Sequence, residues 1–187
     1  MQALVFYIVY PIIYLVASLP FSILYMVSDG LYHLLKLSGY RKKVVVNNLK
    51  NSFPDKTDAE IESISDSYFR YLCDLILETL KTMTMSAEES KRRCIFHNTE
   101  WLDKYYEERQ SLIIVLGHYG NWEWAGPAFT LSAHHQLTVI YRPLSNTYFD
   151  KMMIRMRTRF GTRITPVNLT LRDMVAQRQS VSATAFI

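Results

Sequence analysis

The chain has only two cysteines, and it carries no charged side chain between Met1 and Ser28. Cys73 and Cys94 lie far apart and match no metal or redox spacing, which suits a reducing compartment with both thiols packed inside. Among the five histidines, His33, His97, His118, His134 and His135, no pair is four apart on a helix, and the adjacent His134 and His135 point apart. That argues against a metal centre. There is no Gly-x-Ser-x-Gly turn, so a serine hydrolase has no support. There is also no glycine-rich phosphate loop with a following lysine, no internal repeat and no nucleic-acid-binding motif.

The charge-free opening run is rich in Leu, Ile, Val, Phe and Tyr, and it exceeds the ~20 residues that span a bilayer. It lacks the basic start, short apolar core and small-residue cleavage site of a secretory signal. Pro11 and Pro20 leave room for a buried hairpin or a kinked or re-entrant segment, but the length favours a membrane anchor over residues 1–28. The remainder, 29–187, then forms one domain, the soft expectation for 187 residues. Nothing basic precedes the anchor, whereas Lys36, Arg41, Lys42 and Lys43 follow it. Basic flanks stay on the cytoplasmic side, so the domain is expected to face the cytoplasm.

The net charge of +4 is unevenly placed. From Arg142 onward, Lys151 and seven arginines face only Asp150 and Asp173, a local excess of +6. Most charge runs are solvated helix faces. An arginine-dominated one also suits an anionic partner: a phosphorylated substrate, an anionic lipid or an acidic carrier protein.

Periodicity gives the elements. Residues 40–50 read as a short helix, broken at Asn51-Ser52-Phe53-Pro54. Thr57-Asp58-Ala59-Glu60 is a capping box, opening a long amphipathic helix to about Met83 with Ile61, Ile64, Tyr68, Leu72, Ile76 and Leu80 as its apolar stripe. Cys94 to His97 reads as a short strand and Thr99 to Arg109 as a helix. Strands are expected at residues 112–116, 136–141, 163–167 and from Thr184, with Pro166 suggesting an edge position or an early end for the third. Helices fall between them, so the fold class is α/β: a largely parallel sheet flanked by helices, with an N-terminal hydrophobic membrane-anchor helix. An ending on an apolar, β-prone run predicts that the domain is incomplete at its C-terminus.

The most informative segment is Leu112 to Trp124. An apolar run ends in Gly117-His118-Tyr119-Gly120-Asn121, and Asn121 is a plausible N-cap that puts Glu123 in the first turn of a helix. Residues five apart on a helix face different ways. With His118 in the loop, its ring can fold back toward Glu123, giving an imidazole with an orienting carboxylate. A lone His beside a lone Glu is more often structural. The strand–loop–helix setting, where open α/β sheets place ligands, shifts the balance toward function.

His118 to Glu123 resembles the H-x4-D/E motif of membrane glycerolipid and lipid A acyltransferases. Its Gly-Asn-Trp-Glu form is similar to the bacterial lipid A biosynthesis (late) acyltransferase family. Arg41 to Val44, Asn47, Leu49 and Ser52-Phe53-Pro54 agree, as do Tyr141-Arg142-Pro143, Asn146, Phe149-Asp150 and Met156-Arg157-Thr158-Arg159. Members of that family continue into an Asp-containing motif beyond the last strand seen here. The resemblance implies transfer of a fatty acyl group from an acyl carrier protein thioester to a hydroxyl of a lipid A precursor. His118 would be the base and Glu123 its orienter. Arg142, Arg157, Arg159 and Asn121 would bind substrate, and the amides of Gly117 and Gly120 would be oxyanion donors. No metal and no cofactor beyond the thioester co-substrate is implied. The same pair would also serve an acyltransferase acting on a phospholipid, a phosphatidylinositol mannoside or an aminolipid. A membrane-anchored fragment without activity is the non-enzymatic alternative.

Overall fold

The computed structural model describes residues 2–186. Met1, within the expected anchor, and Ile187, within the expected last strand, lie outside the described residues. The architecture is a helical N-terminal layer followed by a parallel α/β sheet. Nine α-helices and four strands are formed among the described residues.

The anchor expectation requires correction. The apolar run does not make one continuous helix: α1 covers Gln2–Ser18, α2 covers Phe21–Ser38, and Leu19-Pro20 separates them. Proline has no amide to continue the ladder and pushes its predecessor out of the helical region. At 17 residues, α1 falls short of the ~20 needed to cross. The 18-residue α2 brings in Asp29 and Lys36. Among the described residues no helix is long and apolar enough to cross a membrane. Both helices pack on α4, and α1 also meets α8. The C-terminal carbonyls of α1, which a helix end leaves without partners, are taken by Lys81. Its ammonium donates to Ala17 O at 2.9 Å and Leu19 O at 2.7 Å, and the Thr84 hydroxyl also donates to Ala17 O. Burial holds the Lys81 ammonium below the usual lysine range.

Helix α3 spans Lys42–Ser52, and α4 spans Asp58–Lys81. The capping box forms as the sequence predicts: Glu60 N donates to Thr57 Oγ1 (3.3 Å), and Thr57 N donates to Glu60 Oε2 (2.9 Å). The buried stripe of α4 is rotated by about one residue from the expected one. Ile61, Ser65, Phe69, Cys73, Leu77 and Lys81 face inward, while Tyr68 and Ile76 are exposed. Three helices pack around α4, so the neighbours, not hydropathy alone, choose which side is covered. Tyr32, Phe69 and Cys73 make that core. Short helices α5 (Ala87–Arg93) and α6 (Glu100–Glu107) lead to the sheet. Cys94 to His97 is not a strand. It has no pairing partner, and Phe96 instead packs edge-on against Phe129 with ring centroids 5.8 Å apart.

The sheet comprises β1 (Leu112–Ile114), β2 (Gln136–Tyr141), β3 (Arg163–Pro166) and β4 (Ser182–Phe186), all parallel, in the order β1-β4-β2-β3. Helices α7 (Trp122–Ser132), α8 (Thr147–Arg157) and α9 (Thr170–Ala176) occupy the crossovers. Pro166 does mark an edge strand. One face of the sheet is buried as Leu137, Val139, Ala183 and Ala185, against Phe129 of α7. Burying each large apolar side chain contributes about 1.5–3 kcal/mol. Strand β1 is an edge rather than the buried strand its composition suggests. Ile113 is 66% exposed and Val115 88%, because α7 covers only the opposite face. Parallel pairing puts the C-terminal ends of β1 and β2 at one rim, and there the His118 loop and Arg142 emerge.

Candidate active site

The loop between β1 and α7 is stitched to helix α4. Tyr71 and Glu78, seven residues apart and so on one side of α4, both reach it. The Tyr71 hydroxyl donates to Gly120 O at 2.6 Å. Glu78 accepts from Asn121 Nδ2 (2.7 Å) on one carboxylate oxygen and from the Tyr25 hydroxyl (2.7 Å) on the other, and its carbonyl accepts from Trp124 Nε1 (2.9 Å). Burial first, and then the Glu78 carboxylate, push the Tyr25 phenol up to about 12. Gly120 takes φ +58°, where a side chain would be strained. Asn121 caps α7 as expected, its Oδ1 accepting from Trp124 N at 3.3 Å.

The two central residues are not joined. His118 is exposed, and its ring packs edge-on against Trp122 with centroids 4.9 Å apart. No hydrogen bond connects it to Glu123 among the described residues. Glu123 is instead clasped by Arg157 of α8. Nε donates to Oε2 at 3.0 Å and Nη2 donates to Oε1, with the two side chains only 17% (Arg157) and 10% (Glu123) exposed. This forked geometry is the strong form of an ion pair. It ties the first turn of α7 to α8, with Arg157 as the counter-ion of Glu123. Arg142 is exposed at the strand rim, with no acidic partner among the described residues. Arg159 points away, its Nη1 donating to Thr82 O (2.9 Å) and Met85 O. The amides of Gly117 and Gly120 have no acceptor among the described residues. A Cβ at either glycine would meet nothing within 4 Å, so the space beside the loop is open.

Behind the loop lies an apolar cavity of about 280 Å³, walled by Phe96, Val115, Leu116, Ala125, Gly126 and Phe129. Val115 and Leu116, which wall it, directly precede Gly117-His118 in the chain. An exposed imidazole, two open amides and an apolar hollow can together accept a proton, a developing negative charge and a hydrocarbon chain. Among the described residues no group of three or more His, Cys, Asp or Glu side chains could hold a metal ion.

Sequence reading did not find Glu78, Tyr71 or Tyr25. The one available signal was a lone carboxylate amid Leu75, Ile76, Leu77 and Leu80, which is unusual unless it has partners.

The chain is 24% identical to lipid A biosynthesis acyltransferase 2 of Shigella flexneri over 130 residues, which is 69% of this chain and 41% of that protein. It thus spans well under half the length of that curated relative. The sequence model for bacterial lipid A biosynthesis acyltransferases matches residues 1–181, nearly the whole chain, and the Gly-His-Tyr-Gly-Asn-Trp-Glu loop at the strand rim lies inside that match. The chain belongs to the bacterial lipid A biosynthesis acyltransferase family.

Proposed function

We propose that this chain carries the acyl-transfer site of an enzyme that moves a fatty acyl group from an acyl carrier protein thioester to a hydroxyl of a lipid A precursor. The observation that carries the reading is exposed His118 in a loop whose Gly117 and Gly120 amides are open and whose preceding residues, Val115 and Leu116, wall the apolar cavity. The acyl chain would occupy the cavity and bring its thioester carbonyl to the loop. His118 would take the proton of the acceptor hydroxyl as that oxygen attacks the carbonyl. The loop amides would hold the oxyanion, and the carrier thiolate would leave with the proton returned by the imidazolium. Glu123 is the carboxylate for that imidazolium. Catalytic contacts are often loose without substrate, and the His118 ring needs to leave Trp122 to face it. Arg157 clasps Glu123 and holds it in place. Arg142, at the same rim, is the residue for a phosphate of the acceptor or carrier.

The outer face of α1 supports a place at the membrane. Leu4, Ile8, Ile12 and Leu15 form one row and are each 59–66% exposed. A row of this kind favours lying in the lipid interface at the cytoplasmic side of the inner membrane, not crossing it.

The test is His118→Ala in the full-length protein, assayed with an acyl carrier protein thioester and a lipid A precursor. Loss of a general base costs about 10²–10⁴-fold in rate. Retained turnover would sink the assignment.

A further inference from the structure

Helix α1 turns two different faces outward and inward. Opposite the Leu4, Ile8 and Ile12 row, Phe6 and Tyr10 lie toward α8, where Phe6 packs on Tyr148 and Phe149 with ring centroids 5.6 and 5.2 Å apart. Further along the same contact the two helices separate around a second cavity of about 390 Å³, remote in the sequence from the His118 loop. Tyr10 and Tyr14 line it from α1, Arg155 and Arg159 lie across from them, and Met83 and Met152 are among the apolar residues of its wall.

No carboxylate lines this cavity. Arg155 makes no ion pair or hydrogen bond among the described residues, and only Nη1 of Arg159 is engaged. Arg155, in the last turn of α8, and Arg159, just beyond the helix end, bring two like charges to the same hollow. An anion there relieves their repulsion. We propose that this cavity binds the phosphate group of an amphipathic ligand, an anionic lipid headgroup.

The chemistry selects phosphate. One guanidinium fork saturates a carboxylate, whereas the Arg155 fork, the part of the Arg159 guanidinium left free by its Nη1 bonds and two phenol hydroxyls supply donors for a tetrahedral group with three or more oxygens. The methionines give an adaptable apolar wall for the carbon next to the phosphate. The volume exceeds what a bare phosphate fills and falls in the range of small-ligand pockets. The lipid row on the outer face of α1 would bring the headgroup to the cavity mouth. This inference stands apart from acyl transfer, since it is read by binding and not by turnover.

The experiment uses the full chain and vesicles of phosphatidylcholine alone, with phosphatidic acid, or with oleate at equal charge. Wild type is expected to prefer phosphatidic acid, and Arg155→Gln to weaken that binding about tenfold, the scale of a lost charge-assisted hydrogen bond. Arg172→Gln, an exposed base on α9, should change it less than about twofold. Arg155 is exposed and unpaired, so its replacement leaves the fold intact, which a thermal melt checks. Equal binding to oleate vesicles, or equal loss in the two variants, overturns the proposal. Phenylglyoxal labelling of Arg155, read by mass spectrometry, then names the source. Protection by phosphatidic acid vesicles assigns a lipid headgroup, protection by inorganic phosphate alone assigns a free phosphate, and protection by neither overturns the site.

Discussion

Replacing Arg157 by methionine removes both hydrogen bonds to Glu123 and leaves a carboxylate that is 10% exposed with no counter-charge. Breaking a buried pair from one side costs about 3–5 kcal/mol. Arg157 keeps 17% of its side chain in contact with solvent, and water reaching the vacated space softens the penalty. The expected loss for Arg157→Met is therefore about 3 kcal/mol, the lower end of that range. Glu123→Gln keeps one acceptor oxygen and removes the charge, so it should lose about 2 kcal/mol, the scale of a hydrogen bond to a charged group. The double variant has no stranded carboxylate. It should be about as stable as Arg157→Met alone, which gives a coupling energy near ~2 kcal/mol. Urea unfolding of the four proteins at neutral pH measures this, provided the slopes agree. Additivity within about 0.5 kcal/mol would show that the pair is not an energetic unit, and the assignment of Arg157 as the residue that fixes Glu123 would fall. The same cycle on turnover should also be non-additive, because residues acting as a unit lose their joint effect at the first removal.

Three further outcomes are expected. Tyr25 is raised from 10.0 to about 12 by burial and by Glu78, so its contribution to stability is full below pH 10 and disappears as pH climbs through about 12. The urea midpoint of wild type should thus fall more steeply across that window than that of Tyr25→Phe, and parallel curves would refute the linkage. Gly120→Ala should cost about 1–2 kcal/mol from its φ of +58° alone, since nothing lies within 4 Å of the added Cβ; Gly120→Asn should cost less in the same denaturation assay, asparagine tolerating that region. Lys81→Met retains the packing of the stem but strips the donor from Leu19 O, while Thr84 still serves Ala17 O. It should cost about 1–3 kcal/mol, the scale of one buried group left unpaired, and should speed amide exchange at the C-terminal end of α1. Unchanged exchange there would mean that Lys81 does not hold the helix.

Local features were legible in the sequence because their causes are local. The Thr57–Glu60 box involves residues three apart and forms as read. The Asn121 cap and the edge position of β3, marked by Pro166, follow in the same way. The anchor misread shows the opposite case. The length of the uncharged run from Met1 to Ser28 favours one anchor over the kink or hairpin that Pro11 and Pro20 allow, yet Leu19-Pro20 ends the first helix. The α4 stripe was misplaced by one residue because α1, α2 and α3 enclose that helix, and each decides what it covers.

The sequence by itself determined the alternating α/β order, the strand–loop–helix turn at His118 and the family motif, since these depend on short-range spacing and residue type. Only the tertiary structure decided who partners whom. Glu123 faces Arg157, 34 positions away, and Glu78 holds Asn121 and Tyr25, 43 and 53 positions away. Arg159 serves carbonyls while Arg155 stays unpaired, and an apolar cavity stands behind His118. Charge and hydrogen-bond partners are chosen by proximity, and proximity between distant positions is set by how the helices and the sheet pack, which spacing along the chain does not encode.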